Sequence, residues 1–157
     1  MVGTGVTALI ALALAYARWA YPGPRALALE PADDGVLRLH CLELREGDPR
    51  IEARWGSPLA GSLAVSRAGL SFVPAGTAAG GWQAAIEDVE VTALHGDDGR
   101  VTPSLDVRIA GVGARRLRVS DRPIRRWTID HTTVRREALA AEAVHGLLLQ
   151  GGARRAG

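Results

Sequence analysis

Arginine is the residue type best placed to do chemistry in this sequence. Arg115, Arg116, Arg118, Arg122, Arg125 and Arg126 fall close together. Guanidinium groups at that density suit anions, because each carries a permanent charge and a planar fork of donors. From Val101 onward the chain holds eleven Arg and five acids, a balance of +6; before it stand eight Arg and twelve acids, a balance of −4. One reading makes the cluster a patch for anionic lipid headgroups or a partner, worth about 1 kcal/mol per basic residue near a bilayer. The plainer reading pairs Arg116 and Arg118 with Asp106 across a hairpin and leaves the others on a solvated face. Nucleic acid is not expected, since no aromatic stacking platform accompanies the arginines. Every basic side chain is Arg, and Ala and Gly are abundant. That pattern reads as GC-rich coding bias rather than selection for guanidinium chemistry.

The remaining reactive residue types are scattered. His40, His95, His131 and His145 do not group. His131 and His145 could share a helix face, but the rise separates them by about 21 Å, too far for one metal ion. Asp97-Asp98 lacks the alternating oxygen ligands of a calcium loop and reads as a solvated turn. Gly111-Val112-Gly113 lacks the third glycine and the following helix of a dinucleotide loop. Ser57, Ser62, Ser66 and Ser71 have no nucleophile-elbow context. Asp130-His131 is adjacent in sequence, which makes no triad. The residues therefore support no enzyme, no cofactor and no metal. Cys41 is the only cysteine, so no disulfide forms within the chain, and the residue reads as a buried structural thiol.

The elements that must position these residues begin with an apolar segment. Residues 2–17 carry no charge. Extended through Tyr21, the run approaches the ~20 residues that span a bilayer. Tyr16, Trp19 and Tyr21 fit an interfacial aromatic belt, and Arg18 can snorkel to the headgroups. Pro22-Gly23-Pro24 stops the helix. Residues 1–21 are read as a transmembrane anchor helix and 22–35 as a linker. A cleaved signal peptide ending at Ala15-Tyr16-Ala17 competes, although the start lacks a basic region; a buried core helix is the third option. Arg18 and Arg25 follow the segment and no Arg precedes it, so the positive-inside rule puts the N-terminus outside and the domain in the cytoplasm.

From position 36 the pattern is short strands. Residues 36–44 alternate loosely, and residues 51–55 form a second candidate. Leu63 and Val65, a turn at Ser66-Arg67-Ala68-Gly69, then Leu70 and Phe72 make a hairpin. Trp82, Ala84 and Ile86 alternate; Val89, Val91 and Ala93 alternate one residue out of phase, which predicts a bulge near Glu87-Asp88. Leu105, Val107 and Ile109 alternate with Asp106 and Arg108, and Leu117 and Val119 with Arg116 and Arg118, around a Gly-rich turn. That is a half-buried antiparallel hairpin. Val134, Ala138, Ala141, His145 and Leu148 follow the spacing of one helix face, and Gly151-Gly152 ends the helix. Residues 151–157 are read as a disordered tail. The fold class is α+β, mainly antiparallel β: a roll or barrel capped by a C-terminal helix.

That layout resembles the pleckstrin-homology-like (PH-like) fold. The stretch Gly61-Ser-Leu-Ala-Val-Ser-Arg-Ala-Gly-Leu-Ser-Phe-Val-Pro74 is similar to the signature hairpin of GRAM and bacterial PH-like domains. Trp82-Gln-Ala-Ala-Ile-Glu-Asp-Val-Glu-Val91 resembles their next strand. With the hairpin at 105–120 and the last helix, the resemblance covers residues 36–150. It implies a binding or adaptor module and names no ligand. Lipid-headgroup binding is not carried over, because the first hairpin has no matching basic loop. The function expected is a non-enzymatic, single-pass, membrane-anchored binding or adaptor domain at the cytoplasmic membrane face, with a protein partner and anionic lipid headgroups as candidate ligands. The alternative is a structural subunit of a membrane protein assembly.

Overall fold

The computed structural model describes residues 29–45, 58–76, 80–96, 102–124 and 131–156. The candidate anchor 1–21 and the candidate strand at 51–55 lie outside them. Among the described residues, seven strands precede one α-helix: β1 (Leu37–Arg45), β2 (Leu59–Val65), β3 (Gly69–Pro74), β4 (Trp82–Ala85), β5 (Val89–His95), β6 (Ser104–Ile109), β7 (Gly113–Ser120) and α1 (His131–Gly151). A last strand, β8 (Arg154–Arg155), follows. The sheet order is β4-β3-β2-β1-β7-β6-β5-β8. Every pairing is antiparallel except β5 with β8.

Both hairpins form where the alternation places them. Leu63 faces Phe72 and Val65 faces Leu70 across β2–β3. Its turn closes through Ser66 N–H donating to the Gly69 carbonyl at 2.9 Å, while Ser66 Oγ accepts from Ala68 N–H at 3.2 Å. Leu105 faces Leu117 across β6–β7, and Gly111 and Gly113 supply the positive φ angles the turn requires.

The phase change near Glu87-Asp88 has a different cause from the bulge that the pattern predicts. Ile86–Asp88 is one turn of 3-10 helix. It carries the chain from β4, at one edge of the sheet, to β5, which pairs at the far side. A connection of three residues advances only about 6 Å, so the sheet must curl to bring those strands together. A register shift does occur, further on, between Val91 and Ala93.

The curl encloses one core. Leu37, Leu39, Cys41, Leu63, Val65, Leu70, Phe72, Val89, Val91, Leu105, Val107, Ile109, Leu117 and Val119 line it, and Leu29 packs against its rim. Helix α1 closes it, packing chiefly on β7, β5 and β6. The architecture is thus a curled, mainly antiparallel sheet with one C-terminal helix, compatible with a PH-like roll.

The helix is rotated from the face read in the sequence. Glu137, Ala140, Ala141, Val144 and Leu148 are buried, whereas Val134, Ala138 and His145 sit half-buried at the rim. Hydrophobicity alone places Glu137 outward. Its charge is tolerated at the N-terminal end of that face because Arg118 of β7 meets it.

The C-terminal end also departs from the expected disordered tail. Gly152 (φ 102°) takes the left-handed conformation that ends a helix. Gly152 N–H donates to the Leu149 carbonyl and Ala153 N–H to the Leu148 carbonyl, the double bond of a Schellman turn. Ala153 is buried, Arg154 and Arg155 pair with Glu90 and Val91, and Ala156 N–H donates to the Val91 carbonyl. Backbone groups of the tail thus satisfy the open edge of β5.

Two glycines of α1 make opposite predictions. A Cβ at Gly151 would lie 2.5 Å from the Arg67 carbonyl oxygen and 2.9 Å from Arg67 Cα. Gly151→Ala must push the helix end off the β2–β3 turn, at about 1–3 kcal/mol by analogy with overpacked cores. A Cβ at Gly146 meets nothing within 4 Å. Gly146→Ala is expected to stabilise by about 1 kcal/mol through helix propensity. Urea unfolding of the two variants beside the parent reads both signs.

Candidate functional site

The arginines of the 115–126 stretch separate by face. β7 alternates, so Arg115 points with Leu117 and Val119 toward the core, while Arg116 and Arg118 point the other way. Arg115 Nε lies 2.7 Å from Glu43 Oε1, with the two side chains 14% and 0% exposed. The contact is ionic: the Nε–H is not aimed at the carboxylate. The terminal nitrogens of Arg115 donate instead to the carbonyls of Ala114 at 2.7 Å and Val112 at 2.8 Å. Trp82 Nε1 donates to Glu43 Oε1 at 2.7 Å. The Trp82 ring stacks on Phe72, with centroids 6.0 Å apart. One buried carboxylate therefore ties β1, β4 and β7 together inside the roll.

Sequence reading missed this node, although a signal existed. Leu37, Leu39 and Cys41 take the core face of β1, and period two puts Glu43 on the same face. A carboxylate at a core position requires a partner. Cys41, on that face, is buried as expected. Burial, with the Glu43 charge, pushes its thiol far above the ordinary value, which suits a structural role.

On the outer face Arg116 grips Asp106, donating through Nε at 2.7 Å and Nη2 at 2.8 Å. His95 Nε2 lies 3.0 Å from Asp106 Oδ2. The cross-hairpin pairing of Arg116 with Asp106 thus occurs. Arg118 does not share it. Arg118 donates to both Glu137 oxygens at 2.9 Å, and the side chains are 11% and 1% exposed. Arg122 is exposed beyond the end of β7. Arg125 and Arg126 lie outside the described residues, as do the interface residues Tyr16, Arg18, Trp19 and Tyr21.

Asp106 predicts an acid dependence. Burial alone would raise its carboxyl, but the bonds from Arg116 and His95 outweigh burial and hold it below the ordinary value. In the unfolded chain the group therefore takes up a proton first as pH falls. Its contribution to stability is complete above the ordinary Asp range of about 3.9 and is lost as pH falls through the lower, folded value. Asp106→Asn is expected to flatten that part of the stability–pH curve, read from urea midpoints at successive pH values. An unchanged slope would show that Asp106 is not held low.

Apart from Arg122, the described guanidiniums outside ion pairs lie away from that stretch. Arg38 pairs with Asp34 and Arg136 with Asp121. Among the described residues, Arg67, Arg108, Arg122, Arg135, Arg154 and Arg155 pair with no carboxylate. Among the described residues, too, no three His, Cys, Asp or Glu side chains are grouped to hold a metal ion, and no helix is long and apolar enough to cross a membrane.

The chain matches no protein-family model, and no curated protein or solved structure is significantly similar to it.

Proposed function

We propose that this chain is a non-enzymatic, PH-like binding or adaptor module, tethered by residues 1–21 to the cytoplasmic face of a membrane. The observation that carries the reading is the roll itself. Its interior is filled by apolar side chains and by the Glu43–Arg115–Trp82 node, and charged groups lie outside, on the outer faces of β6 and β7. A sheet filled on the inside and varied on the outside suits recognition by surface. The uncharged run 2–17, followed by Arg18 and Arg25, supports the tether and its direction.

A second reading, a structural subunit of a membrane assembly, has its own support. The outer positions of β2, β3 and β4 include Ser62, Ala64, Ser71, Val73, Gln83 and Ala85. None is charged, and Val73 is 62% exposed. A charge-free face suits permanent packing better than a transient contact.

Two measurements test the proposal on the full chain. A C-terminal reporter active only outside the cytoplasm is expected to stay silent; activity there overturns the orientation. Alkaline carbonate extraction is expected to leave the chain in the membrane pellet; release removes the tether. Cross-linking in cells before mild solubilisation separates the readings: a fixed-stoichiometry assembly favours the structural subunit, whereas a fraction exchanging between free and bound favours the adaptor.

A further inference from the structure

Three arginines outside ion pairs meet at one corner of the fold. The last residue of α1, Gly151, packs against the backbone of Arg67 in the β2–β3 turn. Arg67 Nη2 also donates to Gln150 Oε1 at 3.5 Å. The turn at Gly152 then lays Arg154 and Arg155 on the edge of β5. Helix α1 packs on β5, the strand whose edge carries Arg154 and Arg155. Arg67, Arg154 and Arg155 are all exposed.

Neighbouring acids offset part of this charge: Glu87, Asp88 and Glu90 stand against Arg67, Arg108, Arg154 and Arg155. Glu90 is the cross-strand partner of both Arg108 and Arg154, so one carboxylate stands against two guanidiniums. Glu87 and Asp88, exposed on the adjoining 3-10 turn, close on no arginine among the described residues. By contrast, Arg115, Arg116 and Arg118 each spend their charge on an acid of the fold.

We infer that the corner formed by Arg67, Arg154 and Arg155 is the surface through which this domain contacts an anionic bilayer. The inference rests on the tethered reading above and deepens it. Successive residues of a strand point to opposite faces, so Arg154 and Arg155 straddle the sheet edge and cannot converge on one small anion. Charges spread along an edge suit a field of laterally mobile headgroups. The Schellman turn and β8 hold them there, so little ordering is lost on contact.

The test is co-sedimentation of the full chain with sucrose-loaded vesicles. One set is phosphatidylcholine alone; the other has about one part phosphatidylglycerol to three parts phosphatidylcholine. The tether contributes to both, so the ratio of the two partition coefficients isolates the charge contribution. At low salt the ratio is expected to be roughly a hundredfold, from about 1 kcal/mol for each of three arginines, and to collapse in about 0.5 M salt, where charges are screened within a few ångströms. R67A/R154A/R155A is expected to bring the ratio close to one. R122A/R135A, which removes two other unpaired arginines, is expected to leave most of it. All five side chains are exposed, so a circular-dichroism melt should show both variants folded. Equal loss in the two variants overturns the corner. Equal binding of the parent to both vesicles overturns the corner and leaves the tether standing. Binding to the anionic vesicles alone supports the corner and removes the tether. Binding to neither overturns both.

Discussion

Glu43→Ala is expected to destabilise the fold by about 3–5 kcal/mol, the cost of removing one partner of a buried ion pair. That is a large fraction of the roughly 5–15 kcal/mol that holds a domain together. Arg115, 14% exposed, keeps its bonds to the Ala114 and Val112 carbonyls but loses its counter-charge. Trp82 Nε1 loses its acceptor. The expected outcome is a large fall in the urea midpoint with an unchanged m-value. The double variant Glu43→Leu with Arg115→Leu is the informative partner. Apolar replacement of both ends of a buried pair is often neutral or stabilising, so the double variant should recover most of the loss. If Glu43→Ala costs under about 1 kcal/mol, water reaches Arg115 in the variant and the node contributes little.

Arg118→Ala is expected to cost a similar amount at neutral pH, about 3–5 kcal/mol, because it leaves Glu137 charged and buried on the packed face of the helix. Its pH behaviour separates it from Glu137→Ala. Burial pushes the Glu137 carboxyl above its ordinary value, and Arg118 offsets only part of that push. A carboxyl with a raised folded value keeps its proton longer in the folded state than in the unfolded chain. Stability is therefore gained as pH falls through the folded value and is lost as pH rises through it. Without Arg118 the push is larger, so the penalty of Arg118→Ala should shrink on acidification. Glu137→Ala removes the titrating group and leaves a buried arginine that does not give up its proton, so it lacks the parent's gain on acidification and its penalty should widen over the same range. Equal pH dependence in both variants would show that Glu137 is not the group that titrates.

These two results bear on how the arginines of 115–126 are tested. Alanine at Arg115 or Arg118 removes a strut of the fold as well as a surface charge. Lost binding in such a variant reports unfolding unless stability is measured beside it. Arg122 is exposed and unpaired among the described residues, and can be changed without that ambiguity.

Much of the architecture was legible in the residues. Alternation at Leu63–Val65 and Leu70–Phe72, and at Leu105–Ile109 and Leu117–Val119, defined two hairpins, because a strand with one buried face must repeat every second residue. The glycines at 151 and 152 located the helix end, since only a residue tolerant of positive φ makes that turn. The connection from β4 to β5 was less legible. Its phase change is the same whether a bulge or a 3-10 turn causes it, and only the sheet order shows that the two strands do not pair.

The candidate site was less legible still. A hydrophobicity pattern treats every charge as an outward residue, so it rotated α1 to put Glu137 in solvent and passed over Glu43 in β1. Both acids are buried because arginines distant in sequence reach them, Arg115 across the β1–β7 pairing and Arg118 from β7 to the helix. The sequence by itself determined which residues alternate, where the turns and the helix end fall, and that basic charge gathers in the second half of the chain. Only the tertiary structure decided which of those charges remain on the surface. Charge is a property of each residue, whereas neutralisation depends on which strands the curl of the sheet brings together.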